Sequence, residues 1–168
     1  MSRLHISNSW FTYIDLYCLS QDSRTQTDFQ FKVDTGANIS SIAFSDLLKL
    51  GFDRDWIIKN GELDEDVDTA NGNKVNECYR IILPQVRFGT YVCENALFIT
   101  SLTDEMRNLF GLNFIRYFNW GYDYDAREVE YLRNKSEDDG GRYSFSVHEI
   151  NKQQENAKNI SDKSQISK

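Results

Sequence analysis

Histidine is nearly missing from this chain. His5 and His148 are the only two, and each stands in a polar stretch near one end. That excludes a credible Ser-His or Cys-His nucleophile pair and any chemistry that leans on imidazole. Cysteine is as sparse: Cys18, Cys78 and Cys93 are too few and too scattered for a disulfide framework or a zinc site. They are expected as reduced, half-buried strand residues. Proline occurs once, at Pro84, so a strand passing through it must place it at an edge or bulge. Positive charge is short, with 19 Lys and Arg against 26 Asp and Glu and a net charge of −7. No basic stripe exists to neutralise phosphates, which excludes a nucleic-acid partner. No apolar run approaches the ~20 residues that span a bilayer, so no membrane partner is expected. The stretch Met1-Ser2-Arg3-Leu4-His5-Ile6-Ser7 lacks the apolar core of a signal peptide, and a cytoplasmic location is expected. There is no glycine-rich phosphate loop, since Gly140-Gly141 lies in an acidic stretch. No metal and no cofactor are expected.

What is present points to one domain of 168 residues with an uneven distribution of apolar side chains. From about Asn134 the chain is dominated by Lys, Asn, Ser, Gln, Asp and Glu, with isolated Phe145, Val147, Ile150, Ile160 and Ile166. Such a stretch buries too little apolar surface to offset its ordering entropy. The expected organisation is an N-terminal segment over 1–9, a folded domain over 10–133 and a flexible polar tail over 134–168.

Within the domain the pattern is of many short strands. Trp10 to Leu19 and Asp28 to Asp34 read as a hairpin around the polar turn Ser20 to Thr27. Ser45 to Gly51 reads as a short helix opened by a capping residue and stopped by Gly51. Phe52 to Asp64 reads as irregular. Asn71-Gly72 between two alternating segments is a strong hairpin signal, because both positions tolerate positive φ. Cys78 to Phe88 and Tyr91 to Thr100 follow as strands joined at Gly89-Thr90. Then come a polar connection, a short apolar strand Leu109-Phe110-Gly111, a helix over Leu112 to Tyr117, and a last hairpin over Tyr122 to Leu132. This is mostly β, barrel-like or sandwich-like, with one or two short helices.

The stretch that carries chemistry is Val33-Asp34-Thr35-Gly36-Ala37. Phe29, Phe31 and Val33 alternate into a strand that ends at an acid, a small hydroxyl and a glycine. Gly36 allows a sharp turn that leaves Asp34 at a strand end. A carboxylate among apolar neighbours is costly unless it is hydrogen-bonded or shares a proton with a second acid. Alone, Asp-Thr-Gly is also an ordinary turn. Val67-Asp68-Thr69-Ala70 repeats it weakly, but its alanine and acidic approach mark an exposed hairpin. Asp123 and Asp125 fall on one polar strand face beside a turn and read as solvated. The chain therefore carries one acid of the buried type.

Taken with the order of elements, three motifs resemble the retropepsin-like aspartic proteases, the single-lobe relatives of pepsin. They are Val33-Asp34-Thr35-Gly36-Ala37, the tip Thr69-Ala70-Asn71-Gly72, and Leu109-Phe110-Gly111-Leu112-Asn113-Phe114-Ile115. The resemblance covers about residues 10–132 and implies a closed barrel of the acid-protease fold. It implies that Asp34 is the catalytic carboxylate, that Thr35 bonds its twin across a homodimer, and that Gly36 lets substrate backbone approach. It also implies substrate contacts from Ala37 and Asn38 and a flap formed by Thr69, Ala70, Asn71 and Gly72. Leu109, Phe110 and Gly111 would support the Asp34 loop from behind. Where many members place arginine and then Asp or Asn after the last glycine, this chain has Leu112-Asn113, and Phe110 is bulkier than the usual aliphatic residue.

The implied activity is cleavage of a peptide or protein substrate by water held between two Asp34 carboxyls of a homodimer. Two alternatives stay open at this stage: a dimer of the same fold that binds extended peptides without cutting, and a structural β-barrel with an incidental turn. Ile39, Ile42, Val75 and Ile99 hint at an apolar substrate preference.

Overall fold

The computed structural model describes residues 2–64, 67, 75, 77–133 and 146–149. In chain order the elements are β1 (Ser2–His5), β2 (Tyr13–Leu19), β3 (Gln26–Val33), α1 (Phe44–Lys49), α2 (Arg54–Asn60), β4 (Glu62–Asp64), β5 (Cys78–Phe88), β6 (Tyr91–Ser101), β7 (Leu109–Phe110), α3 (Leu112–Ile115), β8 (Phe118–Asp123), β9 (Glu128–Arg133) and β10 (Ser146–Glu149). The mostly-β expectation holds, although the described residues contain three short helices.

The larger sheet runs β10-β6-β5-β2-β3-β7, with β4 also paired to β5, and the smaller runs β1-β9-β8. Among the described residues neither sheet closes on itself, so the closed barrel is not shown. At one edge β7 is two residues long and, among the described strands, pairs with β3 in parallel before Gly111 ends it.

The β5–β6 hairpin was legible from its alternation and keeps one register from Cys78↔Ser101 to Phe88↔Tyr91. Its turn residue Gly89 has φ +53°, and a Cβ there would lie 2.6 Å from both the Ser2 and Tyr131 hydroxyls. Pro84 is accommodated at an edge. It faces neither β2, which reaches β5 only at Val86 and Arg87, nor β4, which reaches only Cys78 to Arg80.

Four local features differ from expectation. The N-terminal segment is part of the fold: β1 pairs with β9, and Ile6 is buried and bridges to Thr12. The strand expected from Trp10 starts only at Tyr13, because Ser7 to Phe11 form a turn with Trp10 at φ +66°. The region expected to be irregular contains α2, whose N-cap Asp53 accepts from the Trp56 N–H at 2.8 Å. In α1, Ser45 is inside the helix rather than its cap, and its N–H is taken by the Asp104 carboxylate at 3.0 Å. The stop is as expected. Gly51, at φ +86°, passes the chain to Phe52, whose N–H bonds back to the Leu47 carbonyl at 3.0 Å. Of the polar tail, Ser146–Glu149 pairs with Tyr91 to Glu94 of β6, and the rest lies outside the described residues.

The core is aromatic and centred on Phe88. Its ring meets Phe110 at 5.3 Å, Phe118 at 5.6 Å and Phe114 at 6.2 Å, mostly edge to face. One side chain thus joins the large sheet, the small sheet and the segment β7–α3.

The three cysteines are fully buried rather than half-buried, and none is joined in a disulfide. Burial, with the Asp46 charge adding, pushes the Cys18 thiol up to about 12, and burial pushes Cys78 up to about 11. Both values are raised, so the folded chain keeps protons that the unfolded chain releases from pH 9.0 upward. Their contribution is full below pH 9.0 and is lost as the pH climbs toward the raised values. Thermal melts should therefore hold to about pH 9 and fall between there and about pH 12. At pH 8 a thiol reagent should modify none of the three before denaturation and all three after it. A native thiol reacting at the rate of free cysteine contradicts this placement.

Candidate active site

β3 delivers Asp34. Phe29 and Phe31 point into the core, and the alternate residues Lys32 and Asp34 are half-buried on the opposite face. The Asp34 N–H continues the ladder by donating to the Phe110 carbonyl at 2.9 Å. Its Oδ1 accepts the Gly36 N–H at 2.8 Å, and the Ala37 N–H closes the turn onto the Asp34 carbonyl at 3.3 Å. Gly36 does not adopt a left-handed φ. It is needed for space: a Cβ there would sit 3.0 Å from Asp34 Oδ1. The sharp-turn reason expected for this glycine is thus replaced by close approach to the carboxylate.

Behind the turn, residues 37–43 thread against β7 and α3. The Leu112 N–H donates to the Ala37 carbonyl at 2.8 Å, and Ser41 and Leu109 exchange a pair of backbone bonds at 3.0 Å. Gly111 permits this contact, since a Cβ would meet the Ala37 carbonyl oxygen at 2.6 Å and the Ser40 nitrogen at 3.1 Å. Ser40, fully buried, ties the layers together. Its Oγ donates to Asn113 Oδ1 at 2.7 Å and accepts the Gly111 N–H at 2.8 Å. Asn113 Oδ1 also accepts the Ser40 N–H at 2.8 Å, while its Nδ2 donates to the Leu97 carbonyl at 3.0 Å. Leu109, Phe110 and Gly111 thus stand behind the Asp34 loop. The anchors Ser40 and Asn113 were not anticipated. The available signal was an amide set among the apolar side chains Leu112, Phe114 and Ile115.

Thr35, Gly36 and Asn38 are exposed, and Ala37 is half-buried. Thr69, Ala70, Asn71 and Gly72 lie outside the described residues, as does Asp68. Asp123 is exposed and accepts the Ala126 N–H in a turn at 2.9 Å. Ile42, Val75 and Ile99 are packed into the interior, so they offer no open apolar surface to a ligand. A cavity of about 600 Å³ opens between β1 and β2, lined among others by Arg3, Asp15 and Arg87, and no residue of the Asp34 loop borders it. What the site offers is a single carboxylate, rigidly placed and open to water.

The profile of the family described as "gag-polyprotein putative aspartyl protease" matches residues 25–117. The chain belongs to that family, the retropepsin-like aspartyl proteases. The matched span contains the Asp34 loop and β7–α3. A crystal structure of a retropepsin-like aspartic protease from Rickettsia conorii shares the fold, with a TM-score of 0.56. It is 24% identical and covers 78% of this chain and 92% of its own. No curated protein matches the chain.

Ser40→Ala removes the acceptor of a buried N–H and should lower unfolding free energy by about 1–3 kcal/mol in urea titrations. Gly111→Ala should cost a similar amount or more, because backbone rather than a flexible side chain must move. A stability within about 0.5 kcal/mol of the parent for both would contradict the interlock.

Proposed function

We propose that this chain is an aspartic endopeptidase that works as a homodimer, with the Asp34 carboxyls of two copies meeting on a two-fold axis. The observation that carries the reading is the single carboxylate held in a fixed loop of this family and left open on one side. Two carboxyls about 3 Å apart cannot both ionise and hold one proton between them. The ionised member takes a proton from water as the water oxygen adds to the scissile carbonyl. The protonated member gives its proton to the carbonyl oxygen. Collapse of the resulting diol breaks the C–N bond, and the leaving nitrogen takes up a proton.

The other residues have supporting parts in this reading. Thr35, exposed in a single copy, bonds its twin and fixes the spacing of the two loops. Ala37 and Asn38 present backbone to an extended peptide. The substrate is peptide or protein, bound in extended form. Three buried thiols outside any disulfide fit work in a reducing compartment such as the cytoplasm.

Asp34→Asn should lower peptide cleavage by at least about a hundredfold, the usual scale for a lost general acid or base. Circular dichroism and sedimentation should show the fold and the assembly retained. Activity per chain should also fall on dilution as dimers separate. Cleavage that survives the substitution sinks the reading, and a folded dimer that binds peptides but never cuts them favours a binding module instead.

A further inference from the structure

Lys32 stands two residues before Asp34 on the same face of β3. Two residues of extended chain span about 7 Å, so a peptide lying across Asp34 carries the side chains next to its scissile bond past Lys32. The Lys32 ammonium rests 3.6 Å from the centroid of the Phe11 ring, and Tyr13 is its cross-strand partner. Phe11 is 43% and Tyr13 36% exposed, so this cationic, aromatic surface is open beside the acid.

Among the described residues Lys32 forms no ion pair with a carboxylate. Asp15 lies on the diagonal of the same face, opposite Gln30, yet the ammonium leans over Phe11 instead. The ring faces one side of the ammonium and leaves donors on the other side for a ligand.

We propose that Lys32, seated on Phe11 and flanked by Tyr13, determines specificity by selecting peptides with Glu or Asp beside the scissile bond. The inference rests on the peptidase reading of Asp34. In a two-fold dimer a Lys32 flanks each side of the bond, so an acid is favoured on either side. The chemistry is a half-exposed ion pair desolvated by the peptide that covers it, and it weakens with salt.

The test scans Glu, Gln, Leu and Lys through the two positions on each side of the bond in synthetic peptides. It compares kcat/KM for the natural chain, Lys32→Met, Lys32→Arg and Lys32→Glu, and also measures peptide binding to Asp34→Asn with and without Lys32→Met by fluorescence anisotropy. Expected is a preference for Glu over Gln of about fivefold, retained by Lys32→Arg, reduced to unity by Lys32→Met and by added salt, and turned toward Lys by Lys32→Glu. Cleavage with a Glu-to-Gln ratio near one, or a ratio unmoved by Lys32→Met, overturns the inference and leaves the peptidase reading standing. Binding that favours Glu through Lys32 without any cleavage by the natural chain supports acid recognition and removes the peptidase reading. Neither cleavage nor Glu-dependent binding removes both.

Discussion

The site depends on two stretches of backbone lying closer than side chains allow. With a Cβ at position 111, the Ala37 carbonyl and the Ser40 nitrogen could not stay where they are. Without that contact, Ser40 could not reach both the Gly111 N–H and the Asn113 amide. The threading consumes the polar groups of both segments. Among the described residues no buried side-chain nitrogen or oxygen is left without a partner, although Ser40, Ser41, Thr100 and Ser101 are all buried. Asp34 inherits its position from this arrangement, because its own N–H is bonded to Phe110 in the same layer.

Phe110 passes that rigidity to the rest of the molecule. It stacks on Phe114 at 5.1 Å and meets Phe88 edge-on, and Phe88 in turn touches Phe118, Tyr91 and Tyr131. A loop on the surface is thus backed by a dense aromatic cluster, with Tyr131 of β9 part of it. Rings of this size have few rotatable bonds, so they fix geometry at low entropic cost while burying a large apolar area. A bulky Phe110, unusual against the aliphatic residue expected there, is explained by this stack.

Local pattern was enough to place the elements whose partners are near in sequence. The β5–β6 hairpin, β7, the Gly51 stop and the order of elements around Asp34 were all legible from alternation and turn residues. β1 was not. Ser2 to His5 carries a single large apolar residue, Leu4, and its partner β9 lies more than a hundred residues away, so only the folded chain supplies its reason to be a strand. α2 leaves only a weak local signal: Asp53 as cap and Ile57 as the buried residue of a helix of about two turns. The roles of Gly111, Ser40 and Asn113 rest on close approach between segments some seventy residues apart, and no periodicity reports such contacts.

A single copy presents an acid that is fixed in place, half in water and bonded by one N–H. On the peptidase reading, the unusual chemistry is created at the moment of association rather than stored in the chain. Bringing two ionised carboxylates within a few ångströms is strongly unfavourable, and taking up one proton removes most of that cost. Assembly and protonation are then two sides of one equilibrium: whatever favours the shared proton favours the dimer, and the reverse. This explains why the loop must be rigid before its twin arrives. A mobile carboxylate would swing away from the like charge, whereas one pinned by Gly36, the Phe110 carbonyl and the Ser40–Asn113 interlock must meet it, and the pair is left with proton sharing as its only relief.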